Sequence, residues 1–449
     1  MFAHTLRTFA ARGPTLLREQ VLWLAVLGPL FFLTYGAANA LAGLRNGVPS
    51  LYFEWERLIP FLDWTIVPYW SIDGFYALSL FICATREELA THVRRLLAAQ
   101  AVAVTAFVVA PLRFAFERPA TDGVFGAMFD LLGAFDKPFN QAPSLHIALL
   151  VILWVLYARH ARGAGRWLLH GWFALIGISV LTTWQHHFVD VPAGLWLGWL
   201  CVWLFPEGQP AVFAQARLAR DPQRLGLAAL YGAGALAVAV TAIALGGWAL
   251  WSLWVAGSLA LVSAIYLGLG ASAFQKEPGG GHSTAARWLL GPYFLGAWVN
   301  ARLWMRGRRC RDEIVPGLWI GNAFARRGIP FARIVDLAPE IAAAPRGSQV
   351  LVPLLDLVAP SAGDIDRAVA AIGDASRDRP VLVRCALGYS RSATACAAWL
   401  LAHGHAGSIT DAAERVRRAR LGVVLSPYHF ARIAEWRGAG YASQGAAAK

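Results

Sequence analysis

The first 270 residues alternate between long apolar runs and short polar segments. An apolar run of about 17–25 residues is long enough to cross the hydrocarbon core of a bilayer as one helix. The pattern therefore predicts eight transmembrane helices. They lie near residues 21–44, 65–84, 96–112, 146–158, 167–185, 189–206, 225–247 and 248–270.

Arginines mark four of the polar segments beside these runs. With eight spans, all four basic segments fall on one side of the membrane, and the positive-inside rule makes that side cytoplasmic. The C-terminal part of the chain is then cytoplasmic too, and we expect a multi-pass protein of the cytoplasmic (inner) membrane. The four segments contain Arg7, Arg12 and Arg18; Arg86, Arg94 and Arg95; Arg159, Arg162 and Arg166; and Arg217, Arg220 and Arg224.

The pattern changes after about residue 271. The glycines at 279–281 form a flexible break. The apolar stretch 289–305 has basic residues at both ends, so we expect a helix in the cytoplasmic interface, with a ninth span as the alternative. Polar alternation and turns return from about 310 and predict a soluble domain. The predicted parts are a polytopic α-helical membrane domain at 1–275, a linker with the interfacial helix at 276–309, an α/β domain at 310–440, and a flexible tail at 441–449.

The composition agrees with a membrane protein, because 57% of the residues are hydrophobic and only 15% are charged. Soluble domains average roughly 45–50% and 25%. The net charge of +13 fits basic loops beside anionic lipid, and we expect no nucleic acid as a partner. The five cysteines form no CxxC pair, which indicates neither a disulfide framework nor a zinc site. No metal or cofactor is expected, and the oligomeric state stays open.

One cysteine lies where a phosphate could bind. The β-branched run 380–384 predicts a buried strand, and 393–403 predicts a helix. Between them lies the sequence Cys-Ala-Leu-Gly-Tyr-Ser-Arg-Ser at 385–392. A strand–loop–helix unit aims backbone N–H groups and a helix N-terminus at one anion, which favours the thiolate form of Cys385. Arg391 can then bind two phosphate oxygens.

This loop resembles the signature of the protein tyrosine phosphatase superfamily, which is Cys, five residues, Arg, then Ser or Thr. The resemblance to the dual-specificity branch covers most of 312–436. It is carried further by the opening segment 314–322, the strand at 333–337, and the segment Leu354-Leu355-Asp356, whose aspartate precedes the cysteine by 29 residues. The segment 413–420 is similar to the helix that closes the fold of that branch.

The resemblance implies a cysteine-phosphatase fold and a two-step mechanism. Cys385 would attack phosphorus and form a phosphocysteine, while Asp356 would protonate the leaving oxygen and then activate water. Ser392 would stabilise the departing thiolate. Phosphate would be bound by Arg391 and by the loop residues Ala386, Leu387, Gly388, Tyr389 and Ser390.

Three features bear on this assignment. Asp364 and Asp366 are rival acids, although their position at the start of a helix favours a capping role. Arg384 stands where the superfamily normally has His, and its charge would still favour the thiolate. The segment 386–390 contains no basic side chain, which favours a phosphoprotein or a singly phosphorylated lipid as the substrate.

Titratable residues recur at the non-cytoplasmic ends of the predicted spans, where such residues mark function. His186 and Asp190 are four residues apart, so the carboxylate can orient the imidazole. With His146 alongside, the set supplies a nucleophile and an acid for phosphoryl transfer. Asp73 either lines the same cavity or makes a structural hydrogen bond. The three clusters lie at 113–119, 143–146 and 186–190.

The clusters resemble the type-2 phosphatidic acid phosphatase superfamily over about 60–206. This resemblance implies that His186 accepts the phosphoryl group, with Asp190 as its partner and His146 as the acid for the leaving group. It makes His187 a neighbour, because His186 has the family's spacing to Asp190. The implied phosphate ligands are Arg118 and Ser144.

The chain departs from that superfamily at several positions. Pro111 and Val180 stand where a basic residue is usual, and Pro-Ser-Leu-His at 143–146 replaces Pro-Ser-Gly-His. These changes resemble the branch of inositol phosphorylceramide and sphingomyelin synthases, so both hydrolase and transferase chemistry stay open for this half.

The sequence as a whole predicts a membrane-bound phosphatase with one site on each side of the bilayer. Its substrate would be a phosphorylated lipid, a phosphoprotein or both. One alternative is a lipid phospho-head-group transferase with an accessory phosphatase tail. Another is a signalling tyrosine or dual-specificity phosphatase that is anchored by a degenerate membrane domain.

Overall fold

The computed structural model describes residues 14–325, 330–343 and 348–440. The chain divides into two compact units, Met1–Ala214 and Gln215–Lys449. Three sequence predictions lie outside the described residues, namely Arg7, Arg12 and the tail at 441–449.

The first unit is built from helices. Two of them begin at a hydroxyl cap: Thr85 accepts a hydrogen bond from the Glu88 N–H, and Ser144 accepts one from the Ile147 N–H. The helices are α1 (Pro14–Gly43), α2 (Ile66–Ile82), α3 (Arg86–Val109), α4 (Gly123–Phe135), α5 (Leu145–His160), α6 (Ala164–Thr182) and α7 (Asp190–Leu204).

The predicted spans coincide with helices, but the count of eight is not confirmed. Among the described residues, five helical segments are long and apolar enough to cross a membrane. The helices α5 and α7 are apolar but have only 16 and 15 residues. At 1.5 Å per residue they rise about 24 and 22 Å, against roughly 30 Å of hydrocarbon. The five segments are α1, α3, α6, Pro222–Leu245 and Gly247–Leu269.

Two glycines bring α5 and α7 into close contact. A Cβ atom on Gly194 would lie 2.5 Å from the carbonyl oxygen of Ser144, and one on Gly198 would lie 2.7 Å from Cβ of Val151. The Ser144 N–H also donates to the backbone oxygen of Asp190 at 3.2 Å. The start of α5 is therefore fixed against the start of α7, where the predicted membrane-site residues lie.

The second unit opens with a helical hairpin, which consists of α8 (Pro222–Leu245), a 3₁₀ turn (Gly247–Ser252), α9 (Leu253–Ala264) and a π-helical turn (Ile265–Leu269). Asp221 caps α8 by accepting from the N–H groups of Gln223 and Arg224. The Arg217 N–H donates to the Gly268 oxygen at 3.1 Å, so both feet of the hairpin lie together.

Two short helices follow, α10 (Thr284–Leu289) and α11 (Gly291–Trp304). One face of α11 is buried at Ala301, which packs into the core of the α/β fold. With 14 residues, α11 is shorter than a membrane span. The position of this helix in the cytoplasmic interface stays a prediction. That exposed face contains Leu295, Trp298, Val299, Leu303 and Trp304.

The α/β fold is a mixed five-stranded sheet in the order β1-β2-β5-β3-β4. β1 and β2 are antiparallel, and the other neighbours are parallel. The strand predicted at 380–384 is the central strand β5, which is buried throughout because helices cover both faces of a parallel sheet. The strands are β1 (Arg311–Val315), β2 (Leu318–Asn322), β3 (Arg333–Asp336), β4 (Ser348–Leu351) and β5 (Val381–Cys385).

Four helices complete the fold. Most of the segment 413–420 lies in the helix Ile409–Ala419, which does not close the fold, because the helix Pro427–Gly438 follows it and packs Trp436 and Ile433 into the same core. The helices are α12 (Ala362–Ile372), α13 (Arg391–Ala402), α14 (Ile409–Ala419) and α15 (Pro427–Gly438).

Candidate active sites

The loop 385–391 between β5 and α13, here called the phosphate loop, has its carbonyl groups bound on its outer side. Arg420 donates to the carbonyl oxygens of Leu387 and Gly388, each at 2.9 Å. The Tyr389 oxygen accepts the Val424 N–H at 2.9 Å. The N–H and C=O of one peptide unit point in opposite directions. Because the carbonyl groups are bound on the outer side, N–H groups point to the inside of the loop, which is the geometry of an anion site.

Cys385 lies at the centre of this loop and is 3% exposed. The Gly388 N–H donates to its Sγ at 3.2 Å, and Sγ lies 3.3 Å from Oγ of Ser392. Gly388 has φ +77°, and a Cβ there would lie 2.6 Å from the Gly321 oxygen. Only glycine fits this left-handed turn, which is what aims the Gly388 N–H at the sulfur.

Arg391 begins α13 and is buried with two carboxylates. Its guanidinium binds Glu340 through two hydrogen bonds of 2.6 and 2.9 Å and donates to the Leu354 oxygen at 3.0 Å. Burial opposes its charge, but Asp356 and Glu340 hold the pKa of Arg391 above its ordinary value. Nε of Arg391 is buried and has no hydrogen-bond partner among the described residues, so one donor of the guanidinium is left for a ligand.

The predicted general acid also contacts Arg391. Oδ1 of Asp356 lies 2.9 Å from Nη2 of Arg391, and the Asp356 side chain is 40% exposed. The rival acids lie elsewhere: Asp364 forms a capping box with Ser361, and Asp366 accepts from Nε1 of Trp436 at 3.4 Å. The structure therefore brings Asp356, and neither rival, to the arginine of the phosphate loop.

Arg384, which replaces the usual His, is buried beneath the loop. It donates to Asp336 at 2.8 Å, and Nζ of Lys276 donates to the same carboxylate at 2.9 Å. Burial raises the pKa of Asp336, but the two cations outweigh burial and hold it below its ordinary value. Arg384 thus supports the end of β5 through an ion pair with β3.

Three residues that hold this site were missed by the sequence analysis. Arg420 and Glu340 bind the loop and its arginine, and Nε2 of His429 lies 2.8 Å from Oγ of Ser390. Burial lowers the pKa of His429, which accepts from the Ser426 N–H through Nδ1, so its Nε2–H donates to Ser390. Each lies far in the sequence from the residue that it binds, and the one signal is the charge of Glu340 among apolar residues.

The first unit brings its predicted residues together near the starts of α5 and α7. Nε2 of His186 lies 3.1 Å from Oγ of Ser144, and Nδ1 lies 3.2 Å from Oδ2 of Asp190. All three side chains are buried. This chain of contacts gives the imidazole a defined orientation between a carboxylate and a hydroxyl.

His187 points into a separate set of contacts. Its Nδ1 lies 2.9 Å from Glu56, and its Nε2 accepts the Ala115 N–H at 3.0 Å. Its ring stacks on Phe114 with 4.3 Å between centroids. Glu56, which no motif of the sequence marks, is the hydrogen-bond partner of the His187 ring. His186 is therefore the histidine that is bonded to Ser144.

Two predicted residues near this site carry buried polar atoms that have no hydrogen-bond partner in the described part of the chain. They are Nε2 of His146 and Nε of Arg118. The His146 ring stacks on Tyr69 at 4.3 Å, and the Arg118 guanidinium lies 4.7 Å from the centroid of Phe129. Unpartnered buried donors are rare in folded proteins, and they are the groups that a bound anion would satisfy.

Comparison with known proteins agrees with the C-terminal site. Residues 332–438 match the family described as dual specificity phosphatase, catalytic domain. The search of curated proteins gave no match. Among solved structures, human DUSP28 has 23% identity and a TM-score of 0.27, and the match covers 29% of this chain and 95% of DUSP28.

Two further solved structures are similar over the same part of the chain. A mouse dual specificity phosphatase complexed with zinc tungstate has 26% identity and a TM-score of 0.27, over 30% of this chain and 91% of that one. PTPMT1 in complex with PI(5)P has 15% identity and a TM-score of 0.24, over 31% and 98%. The family match at 332–438 supports a C-terminal dual specificity phosphatase domain, and the protein is a phosphatase with a phosphorylated substrate.

Proposed function

We propose that the protein is a membrane-bound phosphatase whose phosphate loop hydrolyses phosphomonoesters through Cys385 on the cytoplasmic side. One observation carries the proposal: Sγ of Cys385 lies 3.3 Å from Ser392 and accepts the Gly388 N–H, while Arg391 at the same loop pairs with Asp356. A nucleophile, a phosphate ligand and an acid therefore occur at one buried loop.

The reaction has two steps. In the first, the Cys385 thiolate attacks phosphorus, the bond from phosphorus to the leaving oxygen breaks, and protonated Asp356 gives its proton to that oxygen. In the second, the Asp356 carboxylate takes a proton from water, the resulting hydroxide attacks phosphorus, and the S–P bond breaks. Ser392 donates a hydrogen bond to the released thiolate, and Arg391 binds a phosphoryl oxygen through Nε in both steps.

The test uses the full chain in detergent micelles and an aryl phosphate as substrate. A His186→Gln background removes any contribution from the first unit. We expect Cys385→Ser to reduce hydrolysis below about 1%, since loss of a nucleophile costs several orders of magnitude. The matched control is Cys396→Ser, because Cys396 lies buried in α13 and burial raises its pKa. Full activity of Cys385→Ser would reject the mechanism.

We also propose a lipid-phosphate phosphatase or phosphotransferase site in the first unit, facing the outer side. The observation that favours it is the contact chain Ser144–His186–Asp190 next to unpartnered donors on His146 and Arg118. His186 would attack phosphorus through Nε2 while Asp190 stabilises the resulting positive imidazole, and His146 would protonate the leaving oxygen. Water as the acceptor gives hydrolysis, and a lipid alcohol gives transfer.

This second site is tested in a Cys385→Ser background with a lipid phosphomonoester in mixed micelles. We expect His186→Gln to abolish release or transfer of phosphate, while His170→Gln, a histidine of α6 bonded to Trp154, leaves it intact. Equal activity of both variants would support the alternative in which the first unit only anchors the phosphatase.

A further inference from the structure

The segment that carries Asp356 is fastened to the feet of the helical hairpin. The Tyr266 hydroxyl, in the π-helical turn, donates to the backbone oxygen of Asp356 at 3.0 Å. The Ala359 N–H donates to Oε1 of Gln223, in the first turn of α8, at 3.4 Å. The acid is therefore held against the end of two helical segments that are long and apolar enough to cross a membrane.

A second wall of the site, at Tyr389, is bonded to the segment that follows α11. Nη1 of Arg308 donates to the Tyr389 hydroxyl at 3.1 Å, and its guanidinium lies 6.0 Å from the ring centroid of Trp304. Trp304 ends the helix whose exposed face is apolar. Both walls of the Cys385 pocket thus contact elements suited to a membrane or to its interface.

The large apolar side chains that remain exposed in this fold adjoin the same two walls. Within the described part of 305–440 there are four, and they are 61–87% exposed. One follows Asp356, two lie in the segment that binds the Tyr389 backbone, and one precedes His429, which contacts Ser390. We call these four the rim residues: Leu357, Leu421, Val424 and Tyr428.

Exposed apolar side chains scattered over a surface need no explanation, but a group confined to the rim of a catalytic pocket marks a binding surface. Arginines before α8 and after α11 add positive charge beside it, which attracts anionic lipid. A phosphopeptide would have to approach from water, although both walls of the pocket contact elements that are suited to a membrane or to its interface. A lipid head group would be presented to it directly.

From these contacts we propose that Cys385 acts on a phosphomonoester carried by a membrane lipid, in the leaflet beside the hairpin feet. This inference rests on the proposed phosphatase function and on insertion of the hairpin. Because 386–390 carries no basic side chain, the head group has a single phosphate. The rim residues contact its apolar part, and the reaction leaves the lipid alcohol in the bilayer while free phosphate departs into water.

The experiment uses the full chain with His186→Gln in vesicles of neutral phospholipid. Three probes are compared by kcat/KM: dioleoyl phosphatidic acid in the vesicle, glycerol 3-phosphate, and a phosphotyrosine peptide. We expect the lipid to exceed its water-soluble head group by at least about 100-fold, since remote binding energy raises kcat/KM. Preference for the peptide, or equality of lipid and head group, would overturn the inference.

A rim variant provides a second measurement. Leu421→Asp combined with Val424→Asp places charge at two exposed positions, so the fold is retained. We expect the ratio of lipid to aryl phosphate hydrolysis to fall at least tenfold through KM. Thr410→Asp, at the exposed start of α14 and far from Arg420 at its end, is the matched control. An unchanged ratio in the rim variant would overturn the inference.

The two proposals fail in different ways. If Cys385→Ser in the same vesicles leaves every activity intact, the phosphocysteine mechanism is wrong. If Cys385→Ser removes all activity but the lipid shows no advantage, the mechanism stands and only the substrate class is wrong.

Discussion

Arg384 donates two hydrogen bonds to Asp336, from Nε at 3.2 Å and from Nη2 at 2.8 Å, immediately before the proposed nucleophile. Lys276 binds the same carboxylate at 2.9 Å and also donates to the backbone oxygens of Ala338 and Ile341, each at 2.6 Å. One buried carboxylate therefore joins the central strand, its neighbour and the segment that precedes α10.

This arrangement predicts a dependence of stability on pH. Burial raises the pKa of Asp336, but Lys276 and Arg384 lower it more. A depressed carboxylate contributes stability above the unfolded pKa of about 3.9, and that stability is lost as pH falls through the folded pKa. We expect Lys276→Met to move acid unfolding of the second unit to higher pH, as measured by thermal unfolding across pH. Lys137→Met, at an exposed position, should leave the profile unchanged.

The position of Asp356 predicts a dependence on the leaving group. We expect Asp356→Asn to lower kcat by about 10²–10⁴ for alkyl phosphates and much less for activated aryl phosphates, because only poor leaving groups need the proton. Steady-state rates over a leaving-group series measure this. Asp364→Asn, in the capping box, is the control, and the same signature in that variant would transfer the role of acid to Asp364.

The two hydrogen bonds from Arg391 to Glu340 predict a defect in phosphate binding. Glu340→Gln keeps the shape but removes the charge, and a charge-assisted bond is worth about 1.5–3 kcal/mol. We expect KM for an aryl phosphate to rise about 10–100-fold at 1.4 kcal/mol per decade. Glu414→Gln alters an exposed pair with Arg418 and should have little effect. A wild-type KM for Glu340→Gln would refute the role of Glu340.

Arg420 is expected to hold the phosphate loop in shape. Arg420→Met removes the donor of two loop carbonyls and leaves Asp312 without its partner at 2.8 Å. Breaking a buried pair costs about 3–5 kcal/mol, so we expect a lower Tm and a lower kcat. Arg415→Met removes an exposed pair with Asp411 and should leave Tm close to that of the unmodified protein. Equal Tm values for the two variants would contradict this account.

The two proposed sites require opposite sides of the membrane. The basic segments predict that a reporter fused after Lys449 reads cytoplasmic, while one inserted at 120–138 reads external. Insertion at a loop and fusion at the end leave the apolar runs intact. If both reporters give the same side, the separation of the two active sites by the bilayer is wrong.

The sequence predicted the elements whose signal is local. The strand and helix around Cys385 follow from a β-branched run and a helical segment, and they are observed at Val381–Cys385 and Arg391–Ala402. The apolar runs predicted helices correctly, but the count of eight spans is not confirmed, since five helical segments of the described residues are long and apolar enough to span. A hydropathy window does not show at which residue a helix begins or ends. The helix α5, for example, begins after its N-terminal cap, Ser144.

The sequence did not predict the contacts that hold the sites, because these contacts join residues that are far apart along the chain. Glu340 is separated from Arg391 by 51 residues, and His187 from Glu56 by 131. Neither glutamate belongs to a periodic pattern or a motif. A pairing of this kind follows from the order of the strands and helices, which a single sequence does not specify.

The sequence predicts that the segment 276–283 belongs to a linker, but its residues form hydrogen bonds with the α/β fold. Lys276 binds Asp336, the Gly280 oxygen accepts the Ala343 N–H at 2.9 Å, and Nε2 of His282 lies 2.7 Å from the Pro339 oxygen. A gene fusion or recombination event at the glycines would separate the catalytic fold from Lys276, a cation that pairs with Asp336. A shortened gene that keeps this ion pair must therefore begin before Lys276.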